Sequence, residues 1–205
     1  MFKKILFTVA LIGAAAAVAG LGTFATFTST ASAVQGNLAS GQVSIALGAA
    51  GPANRLTLGT STLLPGDTMQ RAIDLTNNAA AGSDALASVT LGTTASPTSG
   101  LDTDATRGLQ MSIDLCPTTW TEAGTSPAYT YTCTPGPSKV VLASVPVIGS
   151  SLALSNLGSL VTGVTDHLRV TLAFPTGTVG DNTLAAKTSA LTFTFTGTQR
   201  AGTAK

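Results

Sequence analysis

The chain has one histidine, His167, which follows Asp166. A catalytic zinc usually takes three protein ligands, often two histidines on one helical turn, and no H-E-x-x-H sequence is present. A serine nucleophile would need His167 as its base, and no G-x-S-x-G elbow occurs. We therefore predict that the protein is not an enzyme and has no catalytic residues. A zinc protease is a remote alternative.

Three aspartates, Asp102, Asp104 and Asp114, are the other side chains that could gather around a cation. Their spacing is not that of a calcium-binding loop. No glycine-rich sequence of the kind that binds phosphate follows a predicted strand. The sequence therefore predicts no metal site and no cofactor.

The first 25 residues have the pattern of an export signal. Two lysines precede an uncharged apolar run at 5–21, and no stop-transfer charges follow it. Small residues allow cleavage after Ala25 or after Ala33, and we favour the cut between Ala25 and Thr26. An uncleaved membrane anchor is the alternative. We expect a secreted, extracellular or cell-surface protein whose partner in transit is a signal peptidase.

Two cysteines, Cys116 and Cys133, lie seventeen positions apart. In an exported protein such a pair favours a disulfide, and two free buried thiols are the alternative. Trp120, Tyr129 and Tyr131 lie between the cysteines. The sequence thus predicts a disulfide-bonded lobe rich in aromatic residues, which we interpret mainly as packing.

The composition points to an all-β protein. Only 9% of residues are charged and the net charge is +1, while the chain holds 35 Thr, 18 Ser and 22 Gly. This charge balance does not suit a nucleic-acid binder, and the apolar content of 44% does not suit a disordered chain. Threonine favours strands, and 205 residues suit one domain.

Apolar and polar residues alternate with period two in several segments, which predicts strands with one buried face. The clearest are 42–47, 109–115, 168–174 and 191–196, and weaker ones are 55–58, 70–76, 86–92, 128–133 and 139–143. We predict an antiparallel β-sandwich of about nine strands over 41–205. A helical turn is expected within 150–164 and a mobile loop at 93–108.

A set of short motifs lies at both ends of the chain and between them: Gly22-Thr23-Phe24-Ala25-Thr26-Phe27-Thr28-Ser29, Asn37, Ser40-Gly41-Gln42-Val43-Ser44-Ile45, Leu64-Pro65-Gly66-Asp67, Ile73-Asp74-Leu75, Asn77, Leu168-Arg169-Val170-Thr171, Phe193 and Gln199-Arg200-Ala201-Gly202-Thr203. These motifs resemble those of the TasA/camelysin-type family of exported matrix proteins. The carboxy-terminal motifs look like those of short actinobacterial-type members. The family's dedicated signal peptidase cuts after the Gly-Thr-aromatic-Ala stretch, which agrees with cleavage after Ala25.

The resemblance implies a jelly-roll-like β-sandwich whose subunits form extracellular or biofilm matrix fibres by donor-strand exchange. Residues 26–40 would then be the leader that contains the donor strand, beginning with Thr26, Phe27, Thr28 and Ser29. Phe27 is its one large side chain and the expected anchor. A disordered leader is the alternative.

Two classes of function therefore remain open. The first is a structural fibre subunit whose partner is another copy of the same chain. The second is a monomeric secreted or cell-surface binding or adhesion module that uses the disulfide lobe or the 93–108 loop. Neither involves nucleic acid, and a membrane is involved only if the signal segment stays uncleaved.

Overall fold

The computed structural model describes residues 28–32, 45–56, 63–81, 84–177 and 183–201. These residues contain one short helix, α1 (Gly100–Thr103), and one 3-10 turn, Ala79–Ala81. They also contain eleven strands: β1 (Thr28–Ser32), β2 (Ile45–Leu47), β3 (Thr68–Asn77), β4 (Leu86–Ala95), β5 (Gln110–Cys116), β6 (Thr121–Thr125), β7 (Ala128–Thr132), β8 (Lys139–Pro146), β9 (Gly149–Ala153), β10 (Thr165–Ala173) and β11 (Leu191–Gln199).

The strands form three sheets in which every observed pairing is antiparallel. The four-stranded sheet has the order β1-β11-β4-β9, the five-stranded sheet β2-β3-β10-β5-β8, and β6 pairs with β7 in a separate hairpin. One hydrophobic cluster joins residues of both larger sheets, including Leu91 and Phe195 from one and Ile113 and Leu168 from the other. The prediction of an all-β antiparallel protein is confirmed.

Alternation along each strand explains this two-layer arrangement. In β10, Leu168, Val170 and Leu172 are almost fully buried, whereas the intervening Arg169 and Thr171 are half-buried on the opposite face. Successive side chains of a strand point to opposite faces of its sheet. The apolar side chains on one face of each sheet can therefore pack against those of the other sheet. The same pattern recurs in β11, where phenylalanines alternate with threonines.

Several strand predictions differ from the structure. β6 and β9 were not expected, and β9 and the turns that follow it occupy 149–164, where a helical turn was predicted. Arg55 and Leu56 belong to no strand, and residues 57–58 of that predicted strand lie outside the described residues. β9 has small residues and little buried surface, so its place in the sheet depends on pairing with β4 rather than on its own pattern.

The structure differs from the predicted loop at 93–108 in two places. β4 continues to Ala95, and α1 follows with a capping box in which Ser99 and Asp102 each satisfy the other's backbone N–H. The backbone of Leu109 then donates to Leu101 O at 2.8 Å. Local caps and turn hydrogen bonds order this segment although it has few apolar side chains.

Candidate functional site: an open sheet edge and a disulfide-bonded hairpin

The strand β1 forms one edge of the four-stranded sheet. Its register against β11 runs from Thr28 opposite Thr198 to Ser32 opposite Thr194, with no shift. The family resemblance implies that this segment belongs to a leader that is donated to another copy, whereas here it pairs with the chain's own β11. The predicted donor residues Thr28 and Ser29 lie in this strand.

The remaining parts of the amino-terminal predictions fall outside the described residues. These are the signal peptide at 1–25, both cleavage positions, and the donor residues Thr26 and Phe27. No helix among the described residues is long and apolar enough to cross a membrane.

The edges opposite β1 and β2 are irregular. In the four-stranded sheet, the β4–β9 register shifts between Leu91 and Thr93. In the five-stranded sheet, the β5–β8 register shifts twice, and the outer strand β8 begins at Lys139 and ends at Pro146. Bulges, lysine and proline are devices that prevent a further strand from pairing with an edge. By contrast, the two edge strands β1 and β2 pair with their neighbours without a register shift, over five residues for β1 and three for β2.

The predicted disulfide between Cys116 and Cys133 is confirmed, with the two Cα atoms 5.5 Å apart. Cys116 ends β5 and Cys133 follows β7, so the bond joins both ends of the excursion that contains the β6–β7 hairpin. The aromatic-rich lobe predicted from the sequence is therefore a β-hairpin whose two flanking segments are joined by the disulfide.

The hairpin packs on the five-stranded sheet through a second, small hydrophobic cluster. Trp120 and Tyr131 are buried there against Ala72 and Cys116. The Trp120 indole N–H donates to the backbone oxygen of His167 at 2.9 Å. Since Ala72 and His167 lie on β3 and β10, the hairpin covers strands that are distant from it in the sequence.

Charged groups surround this small cluster. The Arg55 guanidinium binds Glu122 through two hydrogen bonds of 2.5 and 2.9 Å, and the Tyr131 hydroxyl donates to the same carboxylate at 2.7 Å. The Tyr129 ring lies 4.5 Å from the Arg55 guanidinium carbon and 5.3 Å from that of Arg71. The ion pair and the cation–π contacts therefore add to packing in holding the hairpin against the sheet.

The local environment moves the pKa values in the directions expected from these contacts. The hydrogen bond from Arg55 lowers the pKa of Glu122 against the opposing effect of burial. Burial, and then the hydrogen bond to Glu122, raises the pKa of Tyr131 to about 12. Burial lowers the pKa of Arg71. Arg55, Glu122 and Tyr131 thus form one hydrogen-bonded network where the hairpin covers the outer face of the sheet.

A second ion pair lies on the same face. Arg169 binds Asp114 at 2.7 Å, and its guanidinium carbon lies 4.5 Å from the Trp120 ring. One row further along the strands, His167 Nδ1 lies 2.7 Å from Asp74 Oδ1. The partners of these two β10 residues come from other parts of the chain: Asp114 from β5, Asp74 from β3 and Trp120 from the disulfide-bonded segment.

The predicted cation candidates do not converge on one another. Asp102 caps α1, Asp104 accepts from the backbone of Thr106 and Arg107, and Asp114 pairs with Arg169. The backbone N–H groups of Arg107 and then Thr106 hold the pKa of Asp104 below its usual value.

The histidine is likewise engaged in structural contacts. Asp166, beside His167 in the sequence, is buried and accepts from the backbone N–H groups of Gly158 and Ser159 at 2.9 and 2.8 Å. Its carboxylate therefore does not share a site with the histidine ring. Within the described ranges, no group of three or more His, Cys, Asp or Glu side chains is placed to hold a metal ion.

One surface feature was missed by the sequence analysis. A groove of about 600 Å³ lies on the outer face of the four-stranded sheet, with threonines of β4 and β11 as its floor. The signal for it is the alternation Leu191-Thr-Phe-Thr-Phe-Thr, in which the phenylalanines take the buried face and leave a row of threonines outside.

The chain was compared with known protein families and with curated proteins. It matches no family model, and no curated protein matches it.

Proposed function

We propose that this chain is an exported structural protein whose copies form extracellular or biofilm matrix fibres by exchanging the strand β1. The observation that carries the proposal is the regular ladder between β1 and β11 at the edge of the four-stranded sheet. If β1 leaves, β11 presents unpaired backbone groups that the same strand of another copy can satisfy in the same register. The role is non-catalytic, and the partner is a second copy of the chain.

The strand order supports a jelly-roll-like sandwich for this subunit. The pairs β1–β11, β3–β10, β4–β9 and β5–β8 are nested in the sequence, as in one long hairpin folded over on itself. Successive pairs alternate between the two sheets. An eight-stranded double-sheet roll has this nested arrangement, with β2 and the β6–β7 hairpin as additions here. The first strand of such a roll can leave without threading through the rest.

The energetics of exchange are compatible with this mode of assembly. A strand bound to a neighbour makes the same main-chain hydrogen bonds as in its own subunit, so the two arrangements differ little in bonding. Twelve residues, 33–44, connect β1 to β2 and span at most about 40 Å when fully extended, which is enough to reach an adjacent copy. Assembly should therefore depend on concentration and on single changes in the strand.

Export and cleavage are part of the proposal. The resemblance to TasA/camelysin-type proteins and the signal-like pattern at 1–25 support cleavage before Thr26, which would release the donor segment as a free end. Phe27 would be its anchor, and burying this side chain in a neighbour could contribute about 1.5–3 kcal/mol.

The test is disulfide trapping. Thr30 lies opposite Thr196, so the double variant Thr30→Cys/Thr196→Cys can form a bond across β1 and β11. In fibres built by exchange, that bond joins different copies and gives a ladder on a non-reducing denaturing gel. The matched control is Thr76→Cys/Thr165→Cys, whose positions face each other across β3 and β10 of one subunit and should give monomers only.

Two further variants separate exchange from other kinds of association. Deletion of 26–35 should leave a folded monomer that forms no fibres, and Phe27→Asp should weaken assembly strongly, whereas Ser32→Thr should not. Fibres from the deletion variant, or a trapped product that runs only as monomer, would contradict donor-strand exchange. A wild-type chain that stays monomeric under all conditions would favour the alternative, a secreted binding or adhesion module.

A further inference from the structure

The groove on the outer face of the four-stranded sheet is built from three strands. Thr90 and Thr94 of β4 and Thr194 and Thr196 of β11 form its floor, and Ile148, just before β9, and Ser150, within β9, form a wall. From Thr90 to Thr94 the floor runs four residues along the strand, or about 13 Å. Its volume of about 600 Å³ is in the range of sites that bind small molecules.

The wall is attached to the floor by a buried threonine. The hydroxyl of Thr93, which is 2% exposed, donates to the Val147 oxygen at 2.5 Å and accepts from the Gly149 N–H at 2.9 Å. This hydroxyl therefore acts as both a donor and an acceptor within the protein. The groove is therefore a built feature with a fixed wall and not a chance depression between loops.

The hydroxyls that line the groove are free to bind something else. The side-chain hydroxyls of Thr90, Thr94, Thr194, Thr196, Ser150 and Ser151 have no hydrogen-bond partner in the part of the chain that the structure describes. All six residues are half-buried or exposed. Several donors and acceptors therefore point into one concavity without being satisfied by the protein.

The chemistry of the lining selects the ligand. Among the described residues around the groove, none carries an ionisable or aromatic side chain. An ionic ligand would lose hydration there without gaining a counter-charge, which is unfavourable. A neutral ligand with many hydroxyls can exchange hydrogen bonds with the free hydroxyls and place its C–H groups against the threonine methyls and Ile148.

We propose that this groove binds a neutral polysaccharide, with a few sugar units of the chain lying along β4 and β11. The site faces away from the core, and its described lining comes from β4, β11 and the segment around β9. The inference therefore stands whether or not the protein forms fibres.

Affinity electrophoresis of the purified protein tests the proposal. Native gels that contain hydroxyethylcellulose or dextran, both uncharged, are compared with gels that contain hyaluronate and with gels without polymer. We expect at least one neutral polymer to retard the protein and hyaluronate to leave it unaffected. No retardation by either neutral polymer, or retardation by hyaluronate alone, would overturn the proposal.

Two variants place the binding in the groove. A Cβ atom at Gly92 would meet only Thr194 O, at 3.9 Å, so Gly92→Ile should fill the floor without disturbing the sheet and abolish retardation. Thr194→Val keeps the shape, removes one free hydroxyl and should weaken binding about three- to tenfold. The matched control is Thr171→Val, on the outer face of the other sheet, which should bind as wild type.

Stability controls allow the binding results of these variants to be interpreted. Unfolding midpoints in urea show that each variant is folded, and Thr194→Val keeps the test valid if Gly92→Ile does not fold. If Thr171→Val loses binding while the groove variants keep it, the polysaccharide binds elsewhere and the assignment of this groove is wrong.

Discussion

Arg55 and Glu122, 67 positions apart in the chain, are joined by two hydrogen bonds of 2.5 and 2.9 Å. The pair connects the segment before β3 with the first strand of the disulfide-bonded hairpin. Because the Tyr131 hydroxyl donates to the same carboxylate, one acidic side chain links both hairpin strands to the sheet. Glu122, the one charged residue of β6, therefore helps to fix the position of the hairpin.

The variant Glu122→Gln should destabilise the protein. It leaves Arg55 without its counter-charge and weakens the acceptor for Tyr131, while the side chain keeps nearly the same shape. The effect should be smaller than that of removing the disulfide, because the Arg55 side chain is 32% exposed and its charge is screened by solvent. Urea unfolding measures the change, with Thr125→Ala at the exposed end of β6 as the control.

The pH dependence of stability in acid tests the same ion pair in a second way. The pKa of Glu122 is lowered by folding, so its contribution is present above the ordinary value of 4.5 and is lost as the pH falls through the lower, folded value. The variant should lack this part of the acid destabilisation. Equal pH profiles for variant and wild type would show that the ion pair does not stabilise the fold.

Tyr131 should ionise late in the folded protein. The chain has two tyrosines, so in Tyr129→Phe the ultraviolet absorbance of tyrosinate reports on Tyr131 alone. We expect its midpoint near pH 12, because burial and the hydrogen bond to Glu122 favour the neutral phenol. A midpoint near 10 in a chain that circular dichroism shows to be folded would contradict this arrangement.

The raised pKa of Tyr131 also predicts a loss of stability in alkali. An acid whose pKa is higher in the folded state stabilises fully below its unfolded value of 10.0 and loses that contribution as the pH rises toward about 12. In Tyr131→Phe, which cannot ionise, the unfolding free energy should fall less over this interval. The comparison needs only urea titrations at several alkaline pH values.

Removal of the disulfide should cost the protein about 3 kcal/mol of stability, the value expected for a loop of this length when the unfolded chain is released from it. The double variant Cys116→Ala/Cys133→Ala, measured by urea unfolding, tests this. Hydrogen exchange should show lost protection in β6 and β7 first, because the small cluster beneath them has few residues, while β10 and β11 stay protected. Uniform loss of protection would show that the hairpin is integral to the main core.

Gly108→Ala should be clearly destabilising. An added Cβ atom would lie 2.5 Å from Asp104 O and 2.7 Å from Leu101 O, both backbone atoms that hydrogen bonds hold in place. The expected loss is about 1–3 kcal/mol, typical of overpacking. Gly51→Ala is the matched control, since nothing lies within 4 Å of the added atom there, and it should leave the unfolding midpoint nearly unchanged.

The sequence by itself determined the class of fold and the faces of the strong strands. Leu168, Val170 and Leu172 alternate with polar residues, and this local pattern decides which side of β10 is buried whatever strand lies beside it. The disulfide could also be predicted, since a chain with two cysteines has one possible pairing and the signal-like pattern at 1–25 favours an oxidising compartment. Strands without a regular alternation of apolar residues were not predicted, because β6 and β9 bury almost no side chain of their own.

Only the tertiary structure decided which strands are neighbours. Alternation defines the faces of a strand but carries no information about its partner, so the register of Thr28 on Thr198 and the contacts of His167 with Asp74 and of Arg55 with Glu122 could not be read from the chain. The groove has the same origin, because its floor and wall come from strands far apart in the sequence. Such contacts form when distant segments are brought together by burial of a common core, which is a property of the whole chain and not of any local pattern.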